Sequence, residues 1–114
     1  MIKNRTRKTL LCSRIEFAST PFKRARGLMF RRKFSDGMLF VLEGKAPAGI
    51  WTFGMFISID ILWLDSDGNV LKIKENAKPW MYFGSAMAHS VLELPAGTIR
   101  KSGTKKGDVL DIKM

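Results

Sequence analysis

With 114 residues, 46% of them hydrophobic and 26% charged, the chain has the make-up of one soluble globular domain spanning residues 1–114. A chain of this length buries roughly two-thirds of its unfolded surface on folding, enough for one modest core. A single cysteine, Cys12, and a single histidine, His89, exclude an intrachain disulfide and the Cys/His clusters of structural zinc, so no metal or cofactor is expected and the cytoplasm is the default compartment. The net charge of +10 falls wholly in the first third: residues 1–35 hold eleven cations against Glu16 alone, while residues 36–114 hold nine charges of each sign. Such asymmetry points to nucleic acid, an anionic surface or an acidic partner, or else to a solvated face that keeps a small domain soluble.

In chain order, residues 1–6 read as a flexible basic N-terminus. The longest apolar run of residues 1–17, Leu10-Leu11-Cys12, is too short for a secretory leader. Thr6 to Phe17 alternates imperfectly with period two and reads as a strand. Ser19-Thr20-Pro21 supplies a helix N-cap with proline at the first helical position, and Phe22, Ala25 and Met29 follow at helical spacing. Asp36-Gly37 marks a turn, GMLFVLE a buried strand, and Gly44 to Gly49, with Pro47, a loop. The β-branched and aromatic run from Ile50 to Asp65 reads as a strand. No stretch reaches the roughly 18 apolar residues of a membrane span. Asp65-Ser66-Asp67-Gly68-Asn69 followed by VLKIKE reads as a hairpin, and this sequence lacks the ligand spacing of a calcium loop. After a break at Ala77-Lys78-Pro79 come Trp80, Tyr82 and Phe83, then a strand, HSVLEL. Pro95 to Thr98 caps a short helix through Lys101, and Gly107-Asp108 opens a last strand. About six strands and two short helices, without α/β alternation, give a mainly β (β-rich α+β) domain, a small partly closed β-barrel.

Several of these segments form a recognisable order. Arg26 to Arg31 (RGLMFR), Gly37 to Phe40 (GMLF), Met55 with Asp60 before an apolar hairpin, and Leu92 to Gly97 (LELPAG) ending in Gly107-Asp108 together resemble the domain-of-unknown-function 192 family of small prokaryotic proteins. The resemblance runs from about Phe17 to the C-terminus. It implies a mostly β fold and no assigned biochemical activity. Family members often carry a Met-Lys-Asn or His-Thr stretch where this chain has Trp51-Thr52-Phe53-Gly54, and Ser58 stands where proline is usual. The C-terminal stretch LPAGTIRKSGTKKGDVLDI is also weakly similar to the Gly-Asp motif of cradle-loop barrels, which implies a structural turn. Gly27, Gly97, Gly107 and Asp108 are the structural turn residues on these resemblances.

Three functional readings emerge. The favoured one is a non-catalytic binding module with an apolar and aromatic cleft near Trp51, Met55, Asp60 and Trp80, taking a small ligand or a protein segment; aromatics at strand spacing more commonly form core. Asp60, set in an apolar run, is the acid expected to be buried, its structural alternative being an ion pair with Arg26 or Arg31. The second reading is weakly sequence-specific nucleic-acid binding through residues 3–8 and 23–33, with Arg24, Arg31, Arg32 and Lys33 facing the anion and Arg26 expected to pair internally. The third, a hydrolase built on Asp60, His89 and Glu93, has no nucleophile motif behind it.

Overall fold

The computed structural model describes residues 1–17 and 36–113. Eight strands and one helix lie among them: β1 (Ile2–Asn4), β2 (Thr9–Cys12), β3 (Ile15–Phe17), β4 (Gly37–Trp51), β5 (Ile59–Leu64), β6 (Val70–Ala77), β7 (Tyr82–Pro95), α1 (Thr98–Ser102) and β8 (Leu110–Ile112). They form two sheets, a three-stranded one in the order β2-β1-β8 and a five-stranded one in the order β3-β4-β7-β5-β6. The fold is mainly β, as expected, and the sheets do not close into a barrel. The helix expected after Ser19-Thr20-Pro21 falls outside the described residues, as do Arg24, Arg26, Gly27, Arg31, Arg32 and Lys33.

β5 organises the molecule. All six residues of IDILWL are buried, which is why the run reads as continuously apolar rather than alternating. Alternate residues still serve opposite faces. Ile59, Ile61 and Trp63 join Met38, Phe40, Ile50, Met55, Ala77, Ala88 and Val91 on one side. Leu62 and Leu64 join Leu39, Val70, Leu92 and Leu94 on the other, where Ile2, Leu11, Cys12 and Leu110 of the small sheet and Ile99 of α1 pack against them. Burying each such side chain contributes about 1.5–3 kcal/mol, so this inter-sheet layer is the main force docking the small sheet onto the large one.

Five boundaries differ from the sequence reading. Residues 1–6 do not form a flexible N-terminus: they hold β1, paired on both sides, with Ile2 and Asn4 fully buried. β7 begins at Tyr82, ahead of the expected HSVLEL strand. Thr6–Phe17 is not one strand: β2 pairs with β1, whereas β3 pairs in parallel with β4 in the other sheet, so the chain changes sheets between Cys12 and Ile15. Residues 44–49 are not a loop but part of β4. Val41 opposes Ser90 while Ala46 opposes Ala88, so the surplus residues bulge out and pairing resumes beyond them, carrying Pro47 opposite Met87. The run from Ile50 to Asp65 is interrupted after Trp51 by a turn at Phe53-Gly54, with φ of 78° at Gly54, before β5 begins. The expected hairpin is present, with β5 and β6 antiparallel on either side of Asp65–Asn69.

Candidate functional site

Thr52 is buried and joins two loops. Its amide donates to the Met81 carbonyl (2.8 Å), its carbonyl accepts from the Trp80 amide (2.9 Å) and the Met55 amide (3.2 Å), and its hydroxyl donates to the Lys78 carbonyl (2.6 Å) and accepts from the Met81 amide (2.9 Å). One small β-branched residue thus ties the turn after β4 to the segment between β6 and β7. Around this tie stand Phe53, Phe56, Trp80, Met81 and Tyr82, each 42–60% exposed, with the Phe53 and Trp80 rings 6.5 Å apart. Trp80, at 60% the most exposed of them, has φ of 63°. A bulky side chain rarely adopts this left-handed backbone, at a cost of about 1–2 kcal/mol. The bond from the Trp80 amide to the Thr52 carbonyl holds the residue in this conformation.

The residues expected in one cleft do not all meet. Trp51 ends β4 opposite Tyr82, beside the rim, and Trp80 is on it. Met55 points inward, 3% exposed, into the apolar face that includes Phe40 and Trp63. Asp60 lies on the opposite face of the sheet. It is fully buried, and its carboxylate accepts from the Asn76 amide (2.8 Å), the Gly97 amide (3.1 Å) and the Ile99 amide (2.9 Å). These donors need a carboxylate for structural reasons. A register shift between β5 and β6 occurs where Asn76 lies, and Gly97, with φ of 96°, starts α1 without a side-chain cap. Asp60 therefore knits β5, β6 and the Leu-Pro-Ala-Gly turn together through backbone donors.

Asp60 and Glu93 cannot act on one substrate atom. Asp60 opposes Leu94 and Glu93 opposes Ile61 and Met38, so the two acids stand on opposite faces of the sheet. His89 is half-buried elsewhere along β7. The hydrolase reading needs Asp60, His89 and Glu93 to converge, and the opposite faces of Asp60 and Glu93 rule that out. Glu93 is itself unusual: it is 4% exposed among apolar neighbours, and burial pushes its carboxyl up to about 8, so at neutral pH it carries its proton. Gly107, with φ of 92°, forms the expected turn, and Asp108 is a hub. Its carboxylate accepts from Asn4 Nδ2 (2.9 Å), Arg7 Nε (3.0 Å) and the Lys105 amide (2.9 Å). Burial alone would raise the Asp108 carboxyl, but the bonds from Arg7, Asn4 and Lys105 outweigh it and hold the group down at about 2.

The sequence reading missed Thr52, Phe56 and Met81. The available signal was Thr52 itself, a lone polar residue between aromatics and just ahead of a glycine turn.

The sequence profile of DUF192, described as "Uncharacterized ACR", matches residues 2–112. The chain belongs to the DUF192 family. A UPF0127 protein of Thermococcus kodakarensis is 36% identical over 113 residues, covering 96% of this chain and 71% of that protein. A second, from Pyrococcus horikoshii, is 32% identical, with 95% of each chain covered. Among solved structures, a protein of Sinorhizobium meliloti provisionally designated a transcription regulator superposes with a TM-score of 0.80 at 37% identity, over 85% of this chain and 79% of that one. A protein of unknown function from Novosphingobium aromaticivorans also gives 0.80, at 31% identity, over 87% and 74%. The DUF192 sheet architecture is thus shared with solved relatives, and the family description assigns no activity.

Proposed function

We propose that this DUF192 protein is a non-catalytic binding domain whose contact surface is the rim formed by Phe53, Phe56, Trp80 and Met81, and that its partner is a protein segment with apolar anchors flanked by acidic residues. The observation that carries this reading is Trp80, 60% exposed on a left-handed backbone that its amide bond to Thr52 maintains. Strain kept at a residue that gains no burial from it is repaid by use, and rigid aromatic anchors are what tight interfaces exploit. The acidic flanks follow from two lysines of β6 beside the start of β7, next to the rim: Lys72 Nζ donates to the Phe83 carbonyl (3.5 Å) and Lys74 Nζ lies 5.5 Å from the Phe83 ring centre. The provisional designation of the Sinorhizobium relative as a regulator also favours binding over catalysis.

The test is an amide NMR titration of the labelled protein with a synthetic Trp- and Leu-bearing peptide flanked by Asp and Glu, and with the same peptide flanked by Lys. Saturable shifts at residues 52–56 and 78–82, weaker with the Lys-flanked peptide and absent in Trp80→Ala, are expected. Equal binding by Trp80→Ala would overturn the reading. So would concentration-dependent dimerisation that Trp80→Ala abolishes, which would make a second copy of the chain the occupant.

A further inference from the structure

We infer that the outer face of the three-stranded sheet is a second, separate binding site, and that it takes the phosphate backbone of nucleic acid through Lys3, Arg5 and Lys8. The site follows from alternation along β1. Ile2 and Asn4 are fully buried, so Lys3 between them points outward, with Leu10 of β2 and Asp111 of β8 as its neighbours in register. Arg5 opens the turn after β1, its amide fixed to the Val109 carbonyl at 2.8 Å. Lys8 sits in the β1–β2 turn with φ of 58°, a second non-glycine residue held in the left-handed region. The three cations border one open cleft of about 680 Å³, with Thr9, Leu10 and Asp111 on its walls.

Arg7 shows what a structural cation looks like in this same turn. It reaches Asp108 through Nε at 3.0 Å and Nη2 at 3.3 Å. Lys3, Arg5 and Lys8 have no carboxylate within ion-pair distance among the described residues, and Asp111 is paired with Lys113 instead, at 3.8 Å. The sheet thus leaves three cations unneutralised, among the described residues, along one path from its central strand into the turn. Lys3 stands in the middle of β1, Arg5 opens the turn that follows it and Lys8 closes that turn, so the three cations succeed one another along the chain. A line of charges suits a linear polyanion better than a compact ion. Exposed Leu10, half in water, adds an apolar spot without a hydrogen-bonding group to read a base edge, so the contact is independent of sequence.

Fluorescence anisotropy with a short labelled DNA duplex tests the site. Three phosphate contacts alone weaken duplex binding about 40-fold between about 50 mM and about 200 mM salt, because each releases counterions. The triple variant Lys3→Gln, Arg5→Gln, Lys8→Gln should flatten the log–log salt slope by about 2.7, and Asp111→Asn should tighten binding. All three cations are exposed or lie in the turn, so thermal midpoints should hold. Independently of any variant, amide shifts in the unmodified protein should centre on Lys3, Arg5, Lys8 and Leu10. An unchanged slope in the triple variant would overturn the inference, as would amide shifts elsewhere. Binding to phosphatidylserine-containing vesicles without binding to duplex would overturn it too, by assigning the cleft to a lipid surface. Trp80→Ala should leave duplex affinity unchanged, so failure at the rim and failure here are separately visible.

Discussion

Asp60 shows how a single residue can look functional and be structural. Three backbone amides converge on its carboxylate, from the irregular end of β6 and from the first turn of α1. Asp60→Asn replaces one acceptor oxygen with an N–H group that faces donors, so unfolding free energy should fall by about 3 kcal/mol, read as a lower urea midpoint at unchanged slope. The sequence made its burial legible, because an acid inside Ile57–Leu64 has nowhere exposed to go. Its partners were not legible. A sequence displays cations such as Arg26 and Arg31, but not which amides a register shift leaves unpaired. Trp80 poses the reverse case. Trp80→Gly removes the left-handed strain, so stability should hold or rise by up to about 1 kcal/mol while peptide binding at the rim is lost. Parallel thermal melts and titrations would separate the two effects, and a variant that lost stability along with binding would make Trp80 a packing residue instead.

Elements carried a clearer signal where local chemistry decides the geometry. The Asp65–Asn69 hairpin was legible because the turn is written in its own side chains: the Asp65 carboxylate accepts from the Asp67 amide (2.9 Å), the Asn69 amide (2.8 Å) and Asn69 Nδ2 (2.9 Å). What the turn does for the rest of the fold was not legible. Gly68 has φ of 84°, and a Cβ placed there would lie 2.4 Å from the Leu110 carbonyl oxygen, so the hairpin tip packs directly on β8 of the other sheet. Gly68→Ala combines a disfavoured backbone with a clash against main chain, and should cost about 2–3 kcal/mol. Asp67→Ala, at the exposed tip of the same turn, should cost less than about 0.5 kcal/mol. The misread elements share one cause. Gly44 and Pro47 are loop signals, yet β4 resumes pairing after its bulge because a long partner, β7, supplies a ladder that residue preferences cannot reveal.

At the scale of the whole molecule, two acids with opposite shifts set the pH range in which the fold is most stable. Glu93 ionises at about 8 in the folded protein against an ordinary 4.5, so folding favours its protonated form. The unfolded chain therefore begins to release this proton near pH 4.5 while the folded chain keeps it. Glu93's contribution is complete below that point and is lost as pH rises through about 8, on the order of 5 kcal/mol across the interval. Asp108 works in the other direction. Held at about 2 against an ordinary 3.8, it contributes fully above the ordinary value and loses that contribution as pH falls toward 2. Together they place the stability maximum on the acid side of neutrality, near pH 4–5, for a protein whose charge alone, +10, would favour alkaline conditions by reducing self-repulsion. Urea unfolding at a series of pH values distinguishes these cases. Glu93→Gln should match the parent at pH 4, gain on it steadily toward pH 8 and move the maximum toward neutrality, whereas Asp108→Asn should flatten only the acid limb. A parent curve that rises from pH 5 to pH 8 would mean that charge repulsion outweighs the buried proton, and that Glu93 is ionised within the apolar face.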